Sequence, residues 1–380
     1  MKLAFIISGF YNGGFISSLG NLIANLDKSI TKDIYVFNRS IGNEELVFDN
    51  VNVIMLKHND NYVNKLRLKS KLAINKTYMS LRKYNPDSIV LRQIYYENYV
   101  KTCMPKIDLS SYDCVISWEE VQCNYFLAYN VIAKRKIGYV HPDYLKVGYS
   151  KEIDSNMLNC IDEFCCVTKE NYNNLIKIFS QDKIKFIPNS LNVNKIQELS
   201  NGSVDYLLDG ETKIITVCRL DNKSKALDRM CRIIKRLNED HQFKWYLVGD
   251  GPDRDLVIDL KEKYNLSNLI LLGQKNNPFI YIKQADLFVL QSYYEGKPIS
   301  VDEALILNVP VLVTNYVSAK EQVKSDYGFI VENDEDSIYN KLDMILNQKE
   351  LLLSKKDNLS KQDYHKYQDI SLFMDIVKGK

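Results

Sequence analysis

Two glutamates eight residues apart, Glu295 and Glu303, stand on either side of Pro298 in the segment Tyr293-Tyr294-Glu295-Gly296-Lys297-Pro298-Ile299-Ser300-Val301-Asp302-Glu303-Ala304. Proline suits a first helical turn, where its missing N–H is no loss, so the segment reads as a loop opening into a helix. The free amides of that turn, with the helix dipole, make an anion site for hydroxyls or phosphate. Glu295 in the loop and Glu303 about a turn and a half into the helix can then grip two ends of one ligand. Further back, Arg219 ends the apolar run Ile214–Cys218, and Lys223 and Lys225 follow it. In the first half, Asn12-Gly13-Gly14 follows the run Leu3–Ile7, and His141 closes Ile137-Gly138-Tyr139-Val140-His141. Glycines there let backbone amides approach an anion with no Cβ in the way.

The elements that must position these residues follow a βαβ rhythm: short apolar runs bounded by turn residues, with amphipathic segments between them. The spacing predicts strands at Leu3–Ile7, Ile34–Phe37, Val51–Leu56, Cys114–Ser117, Ile137–His141 and Phe164–Thr168. Helices are expected over Phe15–Leu26, Lys65–Tyr84, Val121–Asn130 and Lys169–Phe179. A second series runs Ile214–Cys218, Trp245–Gly249, Ile270–Leu272, Leu287–Leu290, Val311–Val313 and Phe329–Val331. Ligands in open α/β sheets bind beyond the carboxyl ends of strands, which is where Arg219, Glu295 and His141 fall. A chain of 380 residues fits two such domains. We expect domains at 1–188 and 213–356, a linker at 189–212 rich in turn residues, and a tail at 357–380. The tail's stripe of Ile370, Phe373, Met374 and Val377 should pack back on the first domain.

Composition narrows the classes. With 46% hydrophobic and 26% charged residues the chain is an ordinary globular one, and a formal net charge of +2 lacks the basic excess of a nucleic-acid binder. The eight cysteines show no C-x-x-C pair and read as reduced, mostly buried thiols. No run reaches the roughly 18 apolar residues of a membrane span. A cytoplasmic protein is expected, with peripheral contact to a membrane. Between Lys65 and Lys83 the chain carries Lys65, Arg67, Lys69, Lys71, Lys76, Arg82 and Lys83 and no acid, interleaved with leucine and isoleucine. Such a stretch suits an anionic lipid surface, or forms a solvated helix face.

Taken together, the C-terminal motifs resemble the large group of retaining glycosyltransferases of the GT-B fold, family 4 type. Glu295 and Glu303 match its E-x7-E pair. Thr216-Val217-Cys218-Arg219-Leu220 with Lys223 or Lys225 resembles its diphosphate-binding Arg and Lys, and Val248-Gly249-Asp250-Gly251-Pro252 its GDGP turn. Leu272-Gly273 resembles the strand end near the nucleobase, Ile187-Pro188-Asn189-Ser190 the interdomain segment, and Pro310 to Thr314 with Glu321 the strand and loop after the carboxylate helix. Resemblance in the N-terminal half rests on Asn12-Gly13-Gly14 and His141.

The resemblance implies two Rossmann-like doubly wound parallel-sheet domains facing across a cleft, the first binding the acceptor and the second the donor. It implies a nucleotide-sugar donor, a UDP-sugar favoured, and a glycan or polyprenyl-diphosphate-linked acceptor, with no metal or other cofactor. Donor contacts fall on Gly13, Gly14, Arg219, Lys225, Gly273, Glu295, Gly296, Lys297, Pro298 and Glu303. Glu295, His141, Arg219 and Lys225 are the catalytic candidates: the cations meet charge growing on the leaving diphosphate, Glu295 orients the sugar, Glu303 takes the ribose, and His141 lies near the sugar. Bacterial surface-polysaccharide synthesis is the commonest role of such relatives. Two positions depart from the pattern: Ala226 stands where a glycine usually follows the Lys, and Lys297 replaces an aromatic or aliphatic residue and is expected to point to solvent. Gly249, Gly251 and Pro252 read as turn-formers, and Glu321 as a donor contact or a helix cap. Three alternatives remain: a catalytically silent nucleotide-sugar-binding partner, an epimerase or phosphorylase of the same fold, and a nicotinamide oxidoreductase. The last lacks its G-x-G-x-x-G after the first strand.

Overall fold

The computed structural model of the chain describes residues 1–10, 14–38, 51–59, 61–81 (side chains to 73), 89–203 and 205–380. They form two units, 1–191 with 369–380, and 192–368.

The first unit is built on a seven-stranded parallel sheet: β1 (Lys2–Gly9), β2 (Thr31–Asn38), β3 (Asn52–Met55), β4 (Cys114–Ser117), β5 (Lys136–Val140), β6 (Glu163–Cys166) and β7 (Ile184–Phe186). Their order is β3-β2-β1-β4-β5-β6-β7. From β1 the chain winds outward to β3 and then returns to β4 on the other side, which puts the topological switch point between β1 and β4. A parallel sheet covered on both faces buries consecutive residues, and Leu3 to Ile7 are all fully buried. Leu3, Phe5 and Ile7 feed one core layer, and Ala4 and Ile6 the other.

The second unit repeats the plan with six parallel strands: β8 (Lys213–Val217), β9 (Lys244–Val248), β10 (Leu269–Gly273), β11 (Leu287–Leu290), β12 (Val311–Thr314) and β13 (Gly328–Val331). The order β10-β9-β8-β11-β12-β13 sets its switch point between β8 and β11.

Strand ends differ from the expected ones for local reasons. β6 stops at Cys166 because Thr168 turns to cap the helix Lys169–Leu175, its Oγ1 accepting from the Asn171 amide at 3.1 Å. β7, three residues long, and the helix Ile89–Cys103, which carries no clean apolar stripe, gave no periodic signal. Residues 192–203 and 205–212, expected as a linker, fall within the second unit. Asn192 caps the helix Val193–Leu199, and Asn277 Nδ2 reaches the Leu199 carbonyl at 2.9 Å. The terminal helix Ser371–Val377 buries Phe373, Ile376 and Val377 in the first unit's core, and Arg135 Nε donates to the Ile376 carbonyl at 2.8 Å.

Among the described residues no helix is long and apolar enough to cross a membrane. The helix Tyr62–Leu81 exposes Lys65, Arg67 and Lys69 beside exposed Tyr62, Val63 and Leu66, while Lys71 Nζ donates to Thr102 Oγ1 at 3.3 Å. The Lys76 side chain, Arg82 and Lys83 lie outside the described residues. All eight cysteines are free thiols; Cys160 is exposed and Cys218 half-buried.

Candidate functional site

The second unit's switch point gathers most of the residues singled out above. Arg219, just past β8, is exposed and has no ion-pair partner among the described residues. Its loop is held by backbone. Leu220 N–H donates to the Asp250 carbonyl at 3.0 Å, Asp253 N–H to the Leu220 carbonyl at 3.0 Å, and Asn222 N–H to Asp253 Oδ2 at 2.6 Å. This approach is so close that a Cβ on Gly249 (φ +141°) would lie 1.9 Å from the Cys218 carbonyl oxygen, and one on Gly251 2.5 Å from that of Leu220. The two glycines are there for contact between strand-end loops.

Of the two lysines, Lys223 is exposed, whereas Lys225 Nζ pairs with Glu295 Oε1. Their side chains are 19% and 10% exposed, so the pair is largely withdrawn from solvent. Ser292 Oγ donates to the same Oε1 at 2.6 Å, and Oε2 accepts from none of the described residues. Lys225 follows β8 and Glu295 follows β11, so the ion pair spans the switch point. Two further bonds stitch the segments together: Tyr293 N–H to the Ser224 carbonyl at 2.8 Å and Gln291 Nε2 to the Lys225 carbonyl at 3.2 Å. Ala226 takes φ 54°, ψ 45°, the left-handed conformation that a glycine would adopt freely.

Beneath the Glu295 loop lies a residue the sequence reading passed over. Arg229 is buried; Nη2 donates to the Gln291 carbonyl and, at 2.9 Å, to Asn333 Oδ1, and Nη1 donates to the Asn333 carbonyl at 3.2 Å. Its guanidinium lies 4.5 Å from the Tyr293 ring centre, and Asn333 Nδ2 returns a bond to the Tyr293 carbonyl at 2.7 Å. Burial pulls its pKa below the usual arginine value, with Tyr293 and Asp228 opposing. Helical periodicity carried the signal, because Arg229 sits three residues after Ala226 and four before Ile233, both fully buried.

Pro298 stands at the N-cap of the helix Ile299–Ile306, one position earlier than expected, with no side-chain cap. Ser318 Oγ donates to the Gly296 carbonyl at 2.5 Å and Gln322 Nε2 to the Pro298 carbonyl at 2.8 Å, fixing the loop. Glu303 is buried in the helix. Lys297 does not point to solvent. Its side chain is 14% exposed, with Nζ 4.0 Å from Asp302 Oδ2 and 6.0 Å from the Tyr367 ring centre. Asp302 is almost fully buried, and burial raises its pKa while Lys297 opposes the shift, so the lysine is retained as its counter-charge. Gly273 ends β10 at φ +71°, with open space where a Cβ would stand. Glu321 is exposed in the short helix Ala319–Gln322.

In the first unit, Gly14 opens the helix Gly14–Asn25, and a Cβ there would meet nothing within 4 Å; Gly13 and Asn12 lie outside the described residues. Ser18 Oγ donates to Asn189 Oδ1 at 2.8 Å, tying the Pro188-Asn189 segment to this helix. His141 follows β5, its ring centre 5.5 Å from those of both Trp118 and Tyr139. Among the described residues no group of three or more His, Cys, Asp or Glu side chains is placed to hold a metal ion.

Residues 204–365 match the family described as glycosyl transferases group 1. It is 32% identical over 149 residues to an uncharacterized glycosyltransferase of Methanocaldococcus jannaschii, covering 38% of this chain and 36% of the relative. It is 29% identical over 219 residues to the UDP-Gal:alpha-D-GlcNAc-diphosphoundecaprenol alpha-1,3-galactosyltransferase of Escherichia coli, covering 52% and 54%. The chain thus spans between about a third and a little over half of these relatives' own length. Among solved structures, Anabaena HepE in complex with UDP and glucose is similar at a TM-score of 0.71 and 13% identity, over 100% of this chain and 99% of that one. A TarM mutant of S. aureus in complex with fondaparinux, alpha-GlcNAc-glycerol and UDP gives 0.68 and 14%, over 99% of both. These likenesses establish the fold: two parallel-sheet α/β units of the GT-B type.

Proposed function

We propose that the chain is a retaining glycosyltransferase that moves a sugar from a nucleotide-sugar, a UDP-sugar favoured, to a glycan or lipid-linked saccharide in bacterial surface-polysaccharide synthesis. The observation that carries this reading is the arrangement of Arg219, Lys225 and Glu295 across one switch point, where among the described residues Arg219 has no ion-pair partner and Glu295 Oε2 no donor. Breaking the bond between the anomeric carbon and the diphosphate leaves new negative charge on phosphate oxygens. Cations fixed there beforehand stabilise the transition state more than the ground state. Glu295 accepts hydroxyls of the donor sugar through Oε2, while Lys225 and Ser292 hold its other oxygen. No protein nucleophile or metal enters this scheme. The relative that transfers galactose from UDP-Gal to a diphosphoundecaprenol-linked sugar, and the solved neighbours carrying UDP, support the donor and acceptor classes. A lipid-linked acceptor also gives the exposed Lys65, Arg67 and Lys69 a role on an anionic membrane surface; reversing their charges should weaken binding to anionic vesicles and leave UDP binding intact.

The test is nucleotide release from a panel of UDP-, GDP- and dTDP-sugars, with and without membrane extract. Release from one donor, raised by extract and lost in Glu295→Ala, supports the reading. Binding of a sugar nucleotide without turnover under any condition would replace it with the silent-partner alternative.

A further inference from the structure

The first unit holds a second cluster, which the reading above leaves unused. Ser8, next to last in β1, donates its backbone N–H to Glu119 Oε1 at 2.7 Å and its hydroxyl to Oε2 at 2.6 Å. Glu119 lies two residues past β4, and Ser117 Oγ braces its carbonyl at 2.9 Å. Since β1 and β4 flank the switch point, this clamp sits where an α/β sheet binds ligands. Glu120 Oε2 is 3.8 Å from His141 Nδ1, beyond hydrogen-bond reach, and neither buried ring nitrogen of His141 has a hydrogen-bond partner among the described residues. Val121, next in the chain, has φ 59° and ψ −102°. A β-branched residue there is strained, and such strain persists only where the surroundings impose it. Here they do: the helix Gln122–Asn130 buries Cys123, Tyr125, Phe126 and Leu127 completely.

The chemistry of the cluster selects its ligand. An ionised carboxylate offers about four acceptor directions, and Ser8 occupies two of Glu119's. Glu119 is only partly buried, so the others remain available to a donor. Two adjacent carboxylates repel a phosphate, which excludes an anionic ligand in contact with them. What fits is a neutral group rich in hydroxyls, able to donate to Glu119 and Glu120 and to meet the imidazole.

Resting on the glycosyltransferase reading, we propose that Glu119, clamped by Ser8, is the acceptor-binding carboxylate of the first unit. It takes hydrogen bonds from hydroxyls of the acceptor sugar, with Glu120 and His141 lining the same subsite.

The two carboxyls are driven apart in acidity, as at sites where carboxylates have separate tasks. Burial pushes Glu119 up to about 7; the Ser8 bonds and His141 oppose this and Glu120 adds to it. Burial also works against Glu120, but His141 and backbone donors outweigh it and hold that carboxyl below the usual range. The titratable groups facing Glu119 are thus Glu120 on its own turn and His141 beyond β5, with Cys123 on the following helix. Between pH 8 and pH 6 the ionised fraction of a group titrating near 7 falls roughly tenfold.

The experiment is calorimetric titration of the full chain with phenoxyundecyl-diphosphate-linked α-GlcNAc, α-GalNAc and α-glucose, in the presence of UDP. At least one probe should bind, about tenfold more weakly at pH 6 than at pH 8. Glu119→Gln should weaken binding at least tenfold and flatten the pH dependence, and Ser8→Ala should weaken it several-fold, while UDP binding, which reads the other unit, stays within twofold. Failure of all three probes to bind a protein that binds UDP would overturn the proposal. So would Glu119→Gln binding like the native chain, or loss of UDP binding and thermal stability together with probe binding, which marks a structural role. Probe binding with no turnover of any sugar nucleotide would uphold the saccharide subsite and reject the transferase reading.

Discussion

The two switch points use opposite electrostatics on the same scaffold. Between β8 and β11 the chain places cations, with Arg219 exposed and Lys225 neutralised by Glu295. Between β1 and β4 it places carboxylates, with Glu119 clamped by two Ser8 donors and Glu120 beside His141, whose ring nitrogens have no hydrogen-bond partner among the described residues. A doubly wound sheet fixes where a ligand binds, and the residues added at the strand ends decide its charge. One unit suits an anion and the other a neutral polyol, which is the division a sugar transfer from a diphosphate needs.

Several substitutions can break or sharpen this contrast. The largest effect is expected at the cationic switch point: Arg219→Ala or Glu295→Ala should lower kcat about 10²–10³-fold, about 3–4 kcal/mol of transition-state stabilisation. Steady-state nucleotide release measures it, and a loss under tenfold would place the donor elsewhere. The two lysines sharpen the assignment, because only Lys225 meets Glu295. Lys225→Ala should cost roughly 100-fold and Lys223→Ala less than twofold in the same assay; equal losses would undo the distinction.

Next comes the crowding that holds the Arg219 loop. With a Cβ 1.9 Å from a carbonyl oxygen, Gly249→Ala should destabilise the second unit by about 2–4 kcal/mol in urea unfolding. A neutral result would mean the loop is free to shift. At the acidic switch point the sign reverses. Glu119 ionises near 7 when folded against an ordinary 4.5, so ionisation costs stability progressively as pH rises from about 4.5 through 7. Glu119→Gln removes that cost and should stabilise the protein by about 1–2 kcal/mol at pH 8, and not at pH 4, in thermal melts. Stabilisation equal at both values would show that the carboxyl is not held against its charge. Smallest is Ala226→Gly, where relief of the left-handed backbone offsets the loss of a buried methyl, leaving a change under about 1 kcal/mol.

The contrast also explains what could be read from the chain. Buried parallel strands are continuous apolar runs, so Leu287–Leu290 and Val311–Val313 announce themselves. The motifs proposed to hold the donor lie within short stretches after such runs, so Arg219 and Glu295 stand out as candidates from the chain alone. The choice between Lys223 and Lys225 was not, because it depends on the turn Asn222–Lys225 and the inward rotation of one side chain. Lys297 was misread for a related reason: its buried counter-charge, Asp302, sits five residues on in the helix and shows only in three dimensions. Glu119 fell outside the reading although it follows Cys114–Ser117 as Glu295 follows Leu287–Leu290. Its partner Ser8 is 111 residues away, and no local pattern links the two.

The measurement that bears most directly on the account is calorimetric titration of the full chain with UDP, in the native protein and in Arg219→Ala. Saturable one-to-one binding that weakens at least tenfold in the variant is the predicted result. No binding of any nucleoside diphosphate, or binding indifferent to Arg219, would contradict the assignment of the second unit's switch point as the donor site.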